Sequence, residues 1–314
     1  MISPARRSAI VATAALILLA ACTGGGTSPG ASGSAASLPS ASASAASSPV
    51  ATVPDAQLVL PGTLFVCIDI PYPPQEAFDD QGTPIGSDVD IATEIGNRLG
   101  LNAKFQNTVF TVIIAALTGG KCDVIVSAQN INPDRLKQVD MVPYFKAGQS
   151  FVVAKGNPKA IKTKDDICGK TVAVQNGTTE LDYLQGAGDY AGAGLSDACT
   201  KGGKAAITIK QYDKDNDALL ALQSAVADLY FADSPAAGYY VTQHPDQFEL
   251  SGLTLDVSLE GISVAKTNTD LRDGVKTALL SMIDDGKYAE ILKKWGVEDG
   301  GLTADEVNSG KLAP

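Results

Sequence analysis

The polar residues with the clearest chemical potential stand directly after predicted strands. Arg135 follows one strand and a polar turn, and a guanidinium group can hold a carboxylate through two parallel hydrogen bonds. Asp233 ends another strand, and its carboxylate could pair with an ammonium group. Gly177-Thr178-Thr179 lies between a strand and a helix, where backbone N–H groups and a hydroxyl favour an anion. These residue types predict a site for a ligand that carries both a carboxylate and an ammonium group.

Each of these residues also has an ordinary structural role available to it. Arg135 could be a surface residue that pairs with Asp134 or Asp140. The threonines at 178 and 179 could cap the following helix, and Asp233 could cap a helix or stabilise a turn. The local sequence alone leaves both roles open.

Neighbouring residues could complete such a site. Ser127, Ala128 and Gln129 follow a predicted strand and could offer backbone and side-chain hydrogen bonds. Tyr72 and Phe110 would form aromatic walls, although either could belong to the hydrophobic core instead.

The cysteines indicate an oxidising compartment. After Cys22 there are four, and four cysteines allow three pairings into two disulfides. We favour Cys67 with Cys122, in two strands of one sheet, and Cys168 with Cys199, which bracket one strand–helix unit. Buried free thiols are the alternative, most plausibly for Cys67. A zinc site is not expected, since no CxxC pair exists and the single histidine lies in a predicted loop.

The N-terminus has the pattern of an export signal. Two arginines precede an apolar run at residues 9–20, which is too short to span a bilayer comfortably. Leu19-Ala20-Ala21-Cys22 resembles a bacterial lipobox, in which the cysteine is acylated and becomes the mature N-terminus. We expect residues 1–21 to be a lipoprotein signal peptide and Cys22 to be lipidated. An ordinary secretory signal and a retained membrane helix are the alternatives.

The rest of the chain divides into a tether and a body. Residues 22–56 consist almost entirely of Gly, Ser, Ala, Pro and Thr, which predicts a flexible tether. The body begins near residue 57, has about 250 residues and contains no further run suited to spanning a membrane. The formal net charge of −11 argues against nucleic-acid binding, which requires a basic face.

The apolar pattern of the body alternates between strands and helices. Predicted strands are 64–68, 104–107, 124–126, 150–154, 171–174 and 228–232. Predicted helices are 88–99, 111–117, 219–226, 271–285 and 288–295. This alternation predicts an α/β fold with largely parallel sheets. We expect two Rossmann-like lobes, 57–148 plus 256–314 and 149–255, with a central ligand cleft at the strand ends. The helical tail after Glu260 is expected to have no sheet of its own and to pack on one of the lobes.

Eight segments form a specific set by their order, although each is weak alone: Asp69-Ile70-Pro71-Tyr72-Pro73-Pro74, Gly86–Ala92, Phe110 with Ile113–Leu117, Lys121–Ser127, Asn130–Arg135, Gly169–Thr179, Ala232-Asp233-Ser234 and Asp285–Trp295. In this order they resemble the polar amino-acid family, family 3, of bacterial extracellular solute-binding proteins. The resemblance covers nearly the whole body. It implies the type II periplasmic-binding fold, and it assigns Arg135 to the α-carboxylate of an amino acid.

Departures from the family pattern concern the side-chain end of the expected pocket. Pro73-Pro74-Gln75-Glu76 replaces the usual Pro-Phe continuation, and Gly86-Ser87-Asp88 replaces Gly-Phe-Asp. Gln129 stands where an apolar residue or glycine is common. With Asp69 nearby, the pocket is expected to be polar and acidic, which favours a ligand with a basic or amide side chain. Asp69 and Glu76 could instead be structural.

The resemblance implies a lipoprotein component of an ABC importer that captures its ligand by domain closure. The residues expected to bind the ligand are Asp69, Tyr72, Glu76, Phe110, Ser127, Ala128, Gln129, Arg135, Thr178, Thr179 and Asp233. The expected partners are an ABC permease with its ATPase and, through the lipid anchor, the cell membrane. We expect an extracytoplasmic monomer without cofactor, metal or enzyme activity. The alternatives are an enzyme on the same fold, such as a dehydratase with Glu76 as its candidate acid, and a ligand-sensing module for a membrane receptor.

Overall fold

A computed structural model describes residues 49–313. The predicted signal peptide, Cys22 and the tether up to residue 48 lie outside the described residues. The end of the predicted tether contacts the body, because the Val50 N–H donates to the Arg98 carbonyl at 2.8 Å and Val53 is buried. Within residues 49–313, none of the helices combines the length and the apolar character that a bilayer crossing requires.

Ten strands are described, and eight of them form one sheet in the order β4-β1-β5-β10-β6-β9-β7-β8. Their bounds are β1 Thr63–Ile68, β2 Ala77–Phe78, β3 Pro84–Ile85, β4 Asn102–Asn107, β5 Val124–Ile125, β6 Val139–Ala154, β7 Thr171–Gln175, β8 Thr208–Tyr212, β9 Leu229–Asp233 and β10 Phe248–Ala265. Strand β1 is parallel to β4 and β5, and β7 is parallel to β8 and β9. We call β4-β1-β5 with its helices the first half, and β9-β7-β8 with its helices the second half.

The α-helices of the described chain are α1 Ser87–Arg98, α2 Phe110–Thr118, α3 Pro133–Gln138, α4 Thr179–Gln185, α5 Leu195–Lys201, α6 Asp215–Gln223, α7 Ser234–Gln243, α8 Thr269–Asp284, α9 Lys287–Trp295 and α10 Ala304–Ser309. Capping residues in the local sequence determine where the short helices α3 and α4 begin. Helix α3 begins with Pro133 after Asn132, whose side chain accepts from the Arg135 N–H. Thr178 caps α4 in the same way by accepting from the Leu181 N–H.

Two long antiparallel strands, β6 and β10, connect the two halves at the centre of the sheet. Their pairing has register shifts near Leu250, Leu255 and Glu260, so the alternation of apolar and polar residues is broken. Strand β10 was not predicted, and it continues to Ala265 and pairs with both β5 and β6, so the helical tail begins after Ala265 and not after Glu260.

Each half has its own hydrophobic core. In the first half, Val66 and Ile91 pack with Leu279 of α8, so this C-terminal helix covers the core of the first half. In the second half, Val174 and Phe231 form part of a separate buried cluster. The structure therefore has the predicted α/β architecture, in which two packed bodies share one continuous sheet.

The structure pairs Cys67 with Cys122 and Cys168 with Cys199, the pairing that the sequence favoured. The first disulfide lies within the first half and the second within the second half. Each therefore stabilises a helix–strand unit within its own half. Neither disulfide joins the two halves, whose connecting strands are β6 and β10.

Candidate ligand-binding site

A small cavity lies between the halves, at the carboxyl ends of the parallel strands. Its lining is polar and strongly acidic. It consists of Asp69, Tyr72, Glu76, Phe110, Ser127, Ala128, Asn130, Gln175, Thr178, Glu180 and Asp233. Eight of these eleven residues belong to the predicted set. Asn130, Gln175 and Glu180 were not predicted.

Asp69 directly follows β1 and is buried, and each of its two carboxylate oxygens has a partner in the protein. It accepts from Gln175 Nε2 at 2.6 Å and forms an ion pair with Lys214 Nζ. Both partners belong to the second half. Burial raises the pKa of the Asp69 carboxyl, and the hydrogen bond and positive charge of Lys214 oppose that rise.

Tyr72 and Asp233 make two hydrogen bonds across the cavity. The Tyr72 hydroxyl donates to Asp233 Oδ2 at 3.0 Å and accepts from the Asp233 N–H at 2.9 Å. Burial raises the pKa of Asp233 well above its ordinary value, and the negative charges of Glu180 and Glu260 raise it further.

Glu180 is the second carboxyl at this end of the cavity. Its negative charge raises the pKa of the neighbouring Asp233 carboxyl. Burial raises the pKa of Glu180, while the positive charge of Arg135 opposes the rise. Glu180 Oε1 and Asp233 Oδ1 receive no hydrogen bond from an N–H or O–H donor in the described chain.

Two further carboxyls, Glu76 and Asp88, lie in the first half, and of these Glu76 belongs to the cavity lining. Ser127 Oγ donates to Glu76 Oε1 at 2.6 Å, and Asp88 Oδ2 accepts from Tyr144 Oη at 2.7 Å and from the Ala128 N–H at 3.0 Å. Burial raises the pKa of Glu76 well above its ordinary value, and the Asp88 charge adds to this.

Arg135 is buried and is not part of the cavity lining, but its guanidinium lies 5.4 Å from the centre of the ring of Phe110, which is. It donates to the carbonyls of Asn130 at 2.7 Å and Gly177 at 3.1 Å. The alternative pairing with nearby aspartates is not observed. Asp134 binds Lys137, and the partners of Asp140 are Lys266 and Arg272.

Three predicted residues have mainly protein partners. Thr178 acts as the cap of α4, and Thr179 Oγ1 donates to Asn130 Oδ1 at 2.7 Å. Gln129 lies outside the cavity lining, because its Oε1 accepts from Ser263 Oγ at 2.8 Å. The expected anion contact with the hydroxyls of 178 and 179 has no support in these hydrogen bonds.

The residues that sequence reasoning missed come mostly from the second half. Gln175 ends β7 and Glu180 follows the two threonines, so both stand beside predicted site residues. Their nearness to a strand end was the available signal. Lys214 had no such signal, since it precedes a helix in an acidic stretch.

The chain is similar to known amino-acid-binding proteins. A family model described as bacterial extracellular solute-binding proteins, family 3, matches residues 64–298. The arginine-binding protein ArgT of Corynebacterium glutamicum is 28% identical over 267 residues, which cover 83% of this chain and 84% of ArgT.

Two solved structures have the same fold. The P235GK mutant of the arginine-binding protein ArgBP from T. maritima is 36% identical with a TM-score of 0.66, over 75% of this chain and 95% of that chain. An ancestral arginine-binding protein bound to glutamine is 35% identical with a TM-score of 0.66, over 76% of this chain and 99% of that chain.

Proposed function

Because the chain belongs to the bacterial extracellular solute-binding proteins of family 3, we propose that it captures an amino acid with a basic or amide side chain and delivers it to an ABC permease. The protein acts outside the cytoplasm as a monomer. Cys22 carries the lipid that anchors it to the membrane.

One observation carries the proposal: four carboxyl groups line a single cavity between the halves, and a buried guanidinium contacts its lining. Asp69, Glu76, Glu180 and Asp233 line the cavity. Arg135 contacts Phe110 and Asn130, which belong to the same lining. Buried charges are costly unless a partner compensates them. A zwitterion supplies one group of each sign, so the arrangement complements an amino acid.

The geometry supports one orientation of the ligand. A guanidinium has five N–H donors, and Arg135 uses two of its nitrogens on protein carbonyls, so donors remain for an α-carboxylate. The α-ammonium would lie against Asp233 and Glu180, which have oxygens without donors. The side chain would then extend toward Asp69 and Glu76.

Contacts across the cavity support capture by closure. Tyr72 reaches Asp233, Asp69 reaches Gln175, and Arg135 reaches the Gly177 carbonyl. In each pair the first residue belongs to the first half and the second to the second half. A ligand that compensates these buried charges favours the closed arrangement.

The names of the relatives support the substrate class. ArgT and the T. maritima protein are arginine-binding proteins, and the ancestral protein was bound to glutamine. A basic and an amide side chain share a terminal N–H donor group. The carboxyl groups of the cavity can accept from either.

Calorimetric titration of the purified full-length protein with L-arginine, L-lysine and L-glutamine tests the proposal. At least one should bind, and Arg135→Ala should weaken that binding by about a hundredfold or more, because it removes the charge partner of the α-carboxylate. Arg272→Ala is the matched control, since Arg272 pairs with Asp140 and Asp273 away from the cavity. Absence of binding, or equal losses in both variants, would contradict amino-acid capture.

The lipid anchor is tested separately. Cys22→Ser should release the protein from the membrane fraction and remove the mass of the acyl chains from the mature N-terminus. An unchanged distribution would mean that another segment holds the protein.

An enzyme remains the second candidate, because Glu76 is a buried carboxyl in the cavity whose pKa is raised by burial, and such a group could serve as a general acid. Prolonged incubation with each ligand that binds, followed by mass spectrometry, distinguishes the two. Unchanged ligand supports binding alone. Turnover that is lost in Glu76→Gln supports the enzyme.

A further inference from the structure

Lys214 places a positive charge of the protein itself beside Asp69, a residue of the cavity lining. It immediately precedes α6 in the second half, and its Nζ forms an ion pair with Asp69 of the first half. The same ammonium donates to the Ile70 carbonyl at 3.0 Å. Lys214 thus contacts two consecutive residues after β1, on the opposite half from its own.

This contact changes what Asp69 can offer a ligand. One carboxylate oxygen accepts from Lys214 and the other from Gln175 Nε2. Asp69 is 3% exposed, so the pair lies where solvent screens charge weakly. A second cation beside Asp69 would therefore gain less attraction than beside a free carboxylate, and it would experience repulsion from Lys214.

Glu76 differs from Asp69 in this respect. Its Oε2 is buried without an N–H or O–H donor in the described chain. The Glu76 carboxyl can accept a hydrogen bond from a neutral N–H group, which an amide side chain supplies as well as a basic one.

We propose that Lys214 is a specificity-determining residue, an internal counter-ion that lowers the preference of the site for cationic over amide side chains. This inference rests on the proposed function, because it concerns the side chain of an amino acid held in the same cavity. Lys214 sets the ratio of the two affinities, whichever ligand binds more tightly in the native protein.

The test is a comparison of affinities by calorimetry. Lys214→Met keeps most of the length of the side chain and removes its charge, so Asp69 loses its main partner. The affinity for L-arginine relative to L-glutamine should rise by about tenfold or more, since a buried carboxylate then pairs with the ligand cation. Lys162→Met, at an exposed lysine of the second half, makes the same charge change away from the cavity and should leave the ratio unchanged.

Two further variants locate the effect. Asp69→Asn combined with Lys214→Met should abolish the gain for arginine, because no carboxylate remains for the ligand cation. Lys214→Arg restores the positive charge and should return the ratio close to its native value. Thermal unfolding without ligand confirms that each variant is folded.

The outcomes separate this inference from the proposed function. If the native protein binds neither amino acid, the proposed function fails and the inference fails with it. If it binds but Lys214→Met weakens both ligands equally, Lys214 only holds the halves together, and the specificity role is overturned. An unchanged ratio with unchanged affinities overturns it as well.

Discussion

The Tyr72 hydroxyl both donates to the Asp233 carboxylate and accepts from the Asp233 N–H, so two hydrogen bonds join the halves at one point. Tyr72 enters from the loop after β1, and Asp233 is the last residue of β9. The contact fixes the carboxyl group proposed to bind the α-ammonium. It therefore links the geometry of closure to ligand recognition.

Tyr72→Phe keeps the ring and removes both hydrogen bonds. The affinity for the amino acid should fall by about tenfold, because Asp233 loses a donor and closure loses two polar contacts. Calorimetry measures the loss. Tyr239→Phe removes a hydroxyl from α7 of the second half and should have little effect. An equal response of the two variants would contradict the role of Tyr72.

Ligand binding should release a proton from the pair formed by Glu180 and Asp233. Burial raises the pKa of both carboxyls, and an arriving ammonium favours their ionised forms. Three charged or titratable groups act on this pair. The positive charge of Arg135 opposes the rise in the pKa of Glu180. For Asp233, the charge of Glu260 raises the pKa and the hydrogen bond from Tyr72 opposes that rise. The affinity should therefore increase as the pH rises through the raised pKa values.

Titration in buffers with different ionisation enthalpies counts the released protons. Glu180→Gln should reduce the count and flatten the dependence of affinity on pH. Asp182→Asn, on the same helix, is the control and should leave the count unchanged. A native protein that releases no proton would show that the pair keeps its charge state on binding.

The sequence predicted the site best where a strand end alone determines position. Asp69, Ser127 and Asp233 each follow or end a parallel strand, and the sheet brings such ends together. Lys214 could not be found in this way. Its contact with Asp69 depends on how the second half meets the first, which no local pattern encodes.

The missed strand β10 has a different cause. Its register shifts interrupt the period of two that identifies a half-buried strand, and Gly252 and Gly261 divide the apolar residues into short runs. The core of each half was easier to predict, since residues such as Ile91 and Val174 lie in uninterrupted patterns. The regular elements were thus predictable, and the irregular strand pair between the halves was not.

The disulfide between Cys67 and Cys122 should contribute to stability without taking part in binding. It closes a loop of sequence separation 55, and both residues are buried beside β1 and β5. Replacing both by alanine should lower the free energy of unfolding by about 2–4 kcal/mol, because the unfolded chain gains freedom. Denaturant titration measures this change, and calorimetry should show an unchanged affinity. A large loss of affinity in the folded variant would contradict the separation of the two roles.

Asp215 should make the ligand-free protein less stable as the pH rises. Burial raises its pKa to about 7, although the hydroxyls of Tyr230 and Tyr240 donate to it and oppose the rise, and the charges of Glu180 and Asp69 add to it. The unfolded carboxyl titrates near 3.8. Between these values the folded state holds a proton that the unfolded state has lost, so stability decreases with rising pH.

The melting temperature of the ligand-free protein should therefore fall as the pH is raised from about 5 to about 7. Asp215→Asn removes the titrating group and should make this fall shallower, although Asp88, with its pKa raised to about 6, contributes in the same direction. Asp217→Asn makes the same change at an exposed position of α6 and should leave the slope as in the native protein. If Asp215→Asn also leaves the slope unchanged, Asp215 does not carry the proton in the folded state, and the buried carboxyls of the first half would account for the dependence on pH.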